Sequence, residues 1–428
     1  MGTDRAASRA TLAVLVGVVA LAGCGSIQGE AMPEVPVWAH RPGGALQIDY
    51  RRQLTNKAAI TDEPYERGKP AIDARNLRLF VPSQDGGLYA VDARTGNVRW
   101  RYATRGPVQC EPLYVAEEDA VYFGSSDGAL YKIAASDGTL AWRFSTNAEV
   151  ARVPVIEGDS VYFANANDTI FAIDRATGKL RFYQHRTPAF GIEISGHAGV
   201  AVGHGKLFTT FSDGVAMAYS TKDGAEAWPT IDLALDAQGA DGQPPQYLDA
   251  DATPVLTRVK DADAVLVAHY EGGLYALEVD SGRTLWRNDR VRGATSLLVW
   301  TQPSHAENDA VIPARRILVA ASGRSGLWGL DPETGEELWR RKLPEGGITE
   351  PVAVSGGLIA GTTRYGLFLF DPVTGGTIDG VAPGNEFAMA PAAHGQHAFV
   401  LTNTGQLLGL VVRPPPFAAK RLKSAKSR

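Results

Sequence analysis

The sequence predicts an all-β chain folded as an eight-bladed β-propeller with four-stranded blades, the last blade closed by an N-terminal strand. Three observations predict it. A repeat runs along nearly the whole chain, apolar and polar residues alternate at period two within each repeat, and the final repeat lacks its last strand while a spare strand stands upstream. Each unit reads as an apolar strand, a Gly turn, a second apolar strand, an Asp-x-x-Thr-Gly-like turn, and a strand carrying an aromatic residue.

Residues 1–23 read as a signal segment. Arg5 and Arg9 give a basic start, and Ala10 to Ala22 is an apolar run too short to span a bilayer comfortably. It ends in Leu21-Ala22-Gly23-Cys24, which resembles the bacterial lipobox and implies lipidation at Cys24. Several acyl chains on one residue anchor a protein where a single chain is marginal. Gly25, where Asp would imply inner-membrane retention, points to the outer membrane. Residues 24–40 form a lipidated tether of Gly, Ser, Pro and charges. Only Cys110 remains as a second cysteine, so no disulfide framework exists in the mature chain, and Cys110 reads as a small buried hydrophobe.

Residues 41–413 hold the repeats. Turn glycines at 96, 138, 178, 224, 282, 335 and 375 fall 40 to 58 residues apart, a propeller-blade period. Trp100, Trp142, Phe182, Trp228, Trp286 and Trp339 each sit four residues beyond their turn glycine, where a ring can wedge between blades and bury a large apolar area. The seventh copy has only Ile378 near that slot. Pro70, Pro112, Pro154, Pro254, Pro351 and Pro391 open most units. The eighth copy, Gly405 to Leu410, stops before its last strand, and Ala45 to Tyr50 is the replacement. Closing the ring removes a blade gap and an aggregation-prone edge, which favours eight blades over seven.

Residues 414–428 form a basic tail: Lys420, Arg421, Lys423, Lys426 and Arg428 follow three prolines. It reads either as a solvated segment or as a contact for anionic headgroups. Elsewhere no basic stripe stands out on a chain of net charge −5, which excludes a nucleic-acid binder.

The repeat resembles the pyrroloquinoline-quinone-like propeller repeat and covers nearly the whole mature chain. Within that group, a lipobox on a chain of this length resembles the BamB family of outer-membrane assembly lipoproteins. Two segments carry the resemblance further: Leu248-Asp249-Ala250-Asp251-Ala252-Thr253-Pro254-Val255, similar to the family's Asp-x-Asp-x-Thr-Pro-Val segment, and Ile192-Glu193-Ile194-Ser195-Gly196, similar to its Leu-x-Leu-Arg-Gly loop. The resemblance implies a non-catalytic scaffold on the periplasmic face of the outer membrane. It also implies BamA and unfolded outer-membrane proteins as partners, Ile192, Ile194, Asp249 and Asp251 as the BamA-binding residues, and no cofactor. The family's arginine is replaced by Ser195. Read from the residues alone, two roles stay open for the aspartates: meeting a cation on a partner, or capping the turn into blade five. Ile192 and Ile194 are open to a docking role or to burial in the first strand of blade four. The Gly- and Pro-rich insert 232–246 reads as a long recognition loop.

A quinone-dependent dehydrogenase shares the repeat. Such an enzyme needs oxygen ligands for calcium, an aspartate base and a stacking platform, and often has a vicinal cysteine pair, which the mature chain lacks. Trp300 and Trp328 lie off the aromatic slot and read as buried. His394 and His397 bracket a turn and do not read as metal ligands. Asp92, Asp174, Asp331 and Asp371 stand just before Thr-Gly as turn caps rather than as a calcium array. Phosphate-binding, nucleophile-elbow and zinc-protease motifs are absent from the sequence. A generic envelope-protein-binding propeller differs from the scaffold reading only at 192–194 and 249–251.

Overall fold

In the computed structural model the described residues are 44–55, 66–189, 197–235, 245–307, 310–342, 347–362, 365–382, 387 and 389–413. The signal segment, Cys24, the tether up to residue 43, the basic tail, Ile192 and Ile194 lie outside them.

Eight four-stranded antiparallel sheets follow one another along the chain. Blade 1 is built from Ala71–Asp73, Arg78–Ser83, Gly87–Asp92 and Val98–Ala103. Blades 2 to 7 repeat the plan over 113–145, 155–185, 201–232, 255–288, 294–341 and 352–381. The short first strands of adjacent blades approach one another around the axis, including those of blades 1 and 8. Blade 8 takes three strands from Ala392–His394, His397–Leu401 and Gln406–Val412 and its fourth from Leu46–Gln53. That strand pairs from Leu46 with Val412 to Gln53 with Gln406, bulging at Asp49. The N-terminal closure expected from the sequence is present, and the strand runs on past Tyr50 to Gln53.

The two middle strands of each blade are buried on both faces, as in Arg78–Ser83 and Ala120–Ser125, because each sheet is covered by a neighbour on either side. Period-two alternation is confined to fourth strands such as Val98–Ala103 and Leu180–His185. The sequence expectation of alternation throughout each unit is corrected accordingly.

The seams between blades explain the repeat. The indole N–H of Trp100 donates to the Ala135 carbonyl of the next blade at 3.2 Å, and Trp142, Trp228, Trp286 and Trp339 do the same to Arg175, Val279, Pro332 and Pro372. Each acceptor lies three residues before a turn glycine. The glycine admits the ring: at Gly335 φ is +73° and a Cβ would meet Trp286 at 2.5 Å. The aspartates of these turns cap them. The Asp92 Oδ1 accepts the N–H groups of Arg94 and Thr95, and Asp174 does likewise for Ala176 and Thr177.

The slot of blade 7 is Asp379, not the neighbouring Ile378. Blade 8 has no glycine turn to receive a ring, because its fourth strand comes from the other end of the chain. Instead the buried Asp379 carboxylate accepts the N–H of Leu46 at 2.7 Å and of Gly380 at 2.8 Å. Tyr50 takes the slot of blade 8, paired with Gly409 as Trp100 is with Ala90.

One insertion escaped the sequence reading. A hairpin, His305–Glu307 with Ala310–Ile312, separates the first two strands of blade 6. Pro303 and Pro313 at its base were its only signal.

Candidate partner-binding site

The antiparallel plan gives the propeller two faces. The turn face carries the connections between third and fourth strands. The loop face carries the connections from each fourth strand to the next blade. Ala45 and Arg413 meet on the turn face, where the Arg413 N–H donates to the Ala45 carbonyl at 2.6 Å. The segment around 249, between Ile231–Asp232 and Val255–Val259, lies in a connection that belongs to the loop face.

Asp249 and Asp251 are 4% and 7% exposed, so the structure does not present them as open surface carboxylates. The segment around them is stitched into neighbouring blades. The Asp249 carbonyl accepts the Tyr270 N–H at 2.8 Å. Thr210 Oγ1 donates to the Ala250 carbonyl, and the Gly199 N–H donates to Thr253 Oγ1 at 3.1 Å. Arg152 of blade 3 crosses to this segment, its Nε donating to the His197 carbonyl at 2.6 Å and its Nη2 to the Asp251 carbonyl at 3.2 Å. Crowding by protein lowers the guanidinium pKa, and the nearby Asp251 and Glu350 charges oppose that shift.

Ile192 and Ile194 precede the first strand of blade 4, which is Ala201–Gly203. Both lie outside the described residues, so neither the docking role nor burial is assigned to them.

The residues just before the first strands build a charged mouth on the axis. Lys69 Nζ lies 3.3 Å from Glu111 and 3.1 Å from Glu350, spanning three blades. His197 is buried, and burial followed by the charge of Arg152 lowers its pKa to about 4. Cys110 sits beneath, with Sγ 3.1 and 3.0 Å from the carbonyls of Glu111 and Arg152. Burial pushes its thiol up to about 12, so it stays protonated and unreactive at neutral pH. The burial of Cys110 agrees with its sequence reading, whereas the ionic contacts were not foreseen, since their members are brought together only by ring closure.

The same face bears a cation cluster in blades 5 and 6. Arg340 lies 4.2 Å over the buried Trp328 ring and donates from Nε to the Ser325 carbonyl at 3.1 Å. Arg290 pairs with Glu337 at 2.8 Å. The run Trp339-Arg340-Arg341-Lys342 was its sequence signal. Among the described residues, no three His, Cys, Asp or Glu side chains come together as a metal site. His394 and His397 flank the turn between the first two strands of blade 8.

A sequence model of the family described as "Outer membrane protein assembly factor BamB" matches residues 66–118, 84–335 and 323–413, the overlaps reflecting the repeat. An outer membrane protein assembly factor BamB from Legionella pneumophila is 25% identical over 203 residues, covering 47% of this chain and 47% of that protein. A polyvinylalcohol dehydrogenase from Sphingopyxis is also 25% identical, over 396 residues, covering 72% of this chain and 60% of that enzyme. The chain thus spans about half to three-fifths of the length of these relatives. The crystal structure of BamB from Moraxella catarrhalis superposes with a TM-score of 0.65 at 18% identity, covering 86% of this chain and 99% of that one, a likeness of fold. Because the family match runs across blades 1 to 8, the chain belongs to the BamB outer membrane protein assembly factor family.

Proposed function

We propose that the chain is a non-catalytic scaffold lipoprotein of the outer-membrane β-barrel assembly machinery. It is anchored through Cys24 on the periplasmic face of the outer membrane, binds BamA, and assists the folding and insertion of outer-membrane proteins. The observation that carries this reading is the family match across residues 66–413. The loop face supports it, since the connection holding Asp249 and Asp251 lies opposite the face where Ala45 meets Arg413. The backbone carbonyls of Asp249, Ala250 and Asp251 tie this loop to blades 5, 4 and 3, which fixes the shape that a partner would meet, and Ile192 and Ile194 would supply apolar contact area. The Arg290 and Arg340 cluster offers positive charge on the same face as the 249–251 segment.

The test is a pull-down from detergent-solubilised envelope of the source bacterium, comparing wild type with Ile192→Ala/Ile194→Ala and with Asp249→Ala/Asp251→Ala. Each variant is first checked for a wild-type thermal transition. Co-purification of BamA with wild type and its loss in the folded variants supports role and site. Equal capture by all three moves the site elsewhere. No BamA in any arm, with other envelope proteins captured, supports a generic envelope propeller.

A second reading, a quinone-dependent dehydrogenase, rests on the likeness to polyvinylalcohol dehydrogenase. The Lys69, Glu111, Glu350 and Arg152 contacts across the axial mouth weigh against it, because a quinone seated there must break them. Alcohol-dependent dye reduction after reconstitution with quinone and Ca²⁺ would establish the enzyme.

A further inference from the structure

At six consecutive seams, from blades 1/2 to 6/7, the carbonyl three residues before the receiving turn glycine takes a donor from the preceding blade. Five donors are the tryptophan N–H groups described above. At the 3/4 seam, where the slot holds Phe182, the Tyr162 hydroxyl donates to the Thr221 carbonyl at 3.1 Å. The seam that closes the ring differs. Its receiving glycine is Gly96, its carbonyl is that of Ala93, and among the described residues no side chain donates to it. The slot residue Tyr50 has a buried hydroxyl with no hydrogen-bond partner among the described residues. Between these two groups lies a cavity of about 370 Å³ whose lining includes Tyr50, Ile72, Leu77, Ala93, His397 and Phe399.

The 1/2 seam shows how such space is filled elsewhere. There Trp100 is joined by Arg78, whose guanidinium lies 5.6 Å over the Tyr114 ring. The residues in register at the closing seam are Tyr50, His397 and Ile72, each smaller than its counterpart. A phenol replaces an indole, an imidazole replaces a guanidinium, and an aliphatic side chain replaces a ring.

We propose that the closing seam is a binding site for an indole ring, seated between blades 8 and 1 with its N–H on the Ala93 carbonyl. The cavity is large enough for a bicyclic ring, its walls are mostly apolar with Asp73, Arg94 and His394 among the polar side chains, and the Ala93 carbonyl stands where the other seams accept a donor. The site is independent of the role proposed above.

The experiment uses the full mature chain and two probes, free indole and N-acetyltryptophanamide, followed by saturation-transfer NMR and calorimetric titration. Saturable binding of wild type is expected. Tyr50→Trp places the chain's own indole in the seat, and His397→Arg narrows it from blade 8. Each should weaken probe binding about tenfold or more, and Tyr50→Trp should also raise the melting temperature. Binding of both probes identifies a tryptophan side chain as the source of the ring. Binding of indole alone identifies a small free ring. The proposal is overturned if wild type binds neither probe, or if folded variants bind as wild type does.

Discussion

Trp339 does two things for its seam: it buries an indole against Gly375 and it satisfies the Pro372 carbonyl at 2.9 Å. The two contributions separate by substitution. Trp339→Ala should cost about 3–5 kcal/mol, the range for emptying a large aromatic site. Trp339→Phe retains a ring and should cost less, since the main additional loss is one hydrogen bond worth about 1 kcal/mol. Urea denaturation of both variants measures the difference, and equal losses would show that the bond rather than the ring holds the seam. His269 poses a different question. Its Nδ1 accepts the N–H groups of Glu271 and Gly272 at 3.2 and 2.8 Å. The same turn position is held by Ser83, Ser125, Asn165 and Ser322 in other blades. Only the histidine titrates. Burial lowers its pKa to about 4, as it does for His197. Between the ordinary value near 6.5 and about 4, the unfolded chain takes up protons that the folded chain refuses. The stability contributed by neutral histidines is therefore complete above pH 6.5 and falls as the solution is acidified towards pH 4, by on the order of 3 kcal/mol for each residue. His269→Asn keeps the turn acceptor and should flatten the urea midpoint between pH 6.5 and 4. An unchanged slope would assign the effect elsewhere.

The strand Leu46–Gln53 is the element on which closure depends. It supplies the fourth strand of blade 8, the slot residue Tyr50, and the N–H that Asp379 accepts. Asp379→Ala leaves that buried N–H without its carboxylate, and should cost about 1–3 kcal/mol. Deleting residues 44–55 should do more, exposing the edge of Gln406–Val412 and both sides of a seam. Size-exclusion chromatography should then show association, reversed by a peptide of residues 44–55 added in trans. A monomeric, cooperatively melting deletion would show that seven complete blades close without it. The need for such a strand was legible in the unfinished eighth repeat, as were the slot aromatics and the turn glycines. The sequence did not reveal Asp379 as the slot residue, because its partner lies 333 positions away. Asp249 and Asp251 could not be read as buried for a similar reason: the side chain that covers their segment, Arg152, arrives from a blade about a hundred residues earlier. Local patterning records what a strand needs on its faces. It does not record which distant side chain meets a loop once the ring has closed.

At the scale of the whole molecule, the eight sheets share one ring, so damage at one seam is passed to all of them. Blade-by-blade unfolding is unfavourable because an open ring exposes two buried sheet faces at once. The meeting of Ala45 and Arg413 on the turn face has a mechanical consequence. A pull on these two points drawn apart from each other peels the closing strand from its neighbour, breaking ladder bonds one after another at low force. A pull on the amino end with the body gripped at the loop face loads the same ladder lengthwise, so that its bonds resist together. The same seven paired positions thus act as a zip fastener in one direction and as a clamp in the other. A chain tethered at its amino end and held by its opposite face is loaded in the direction in which it is strong.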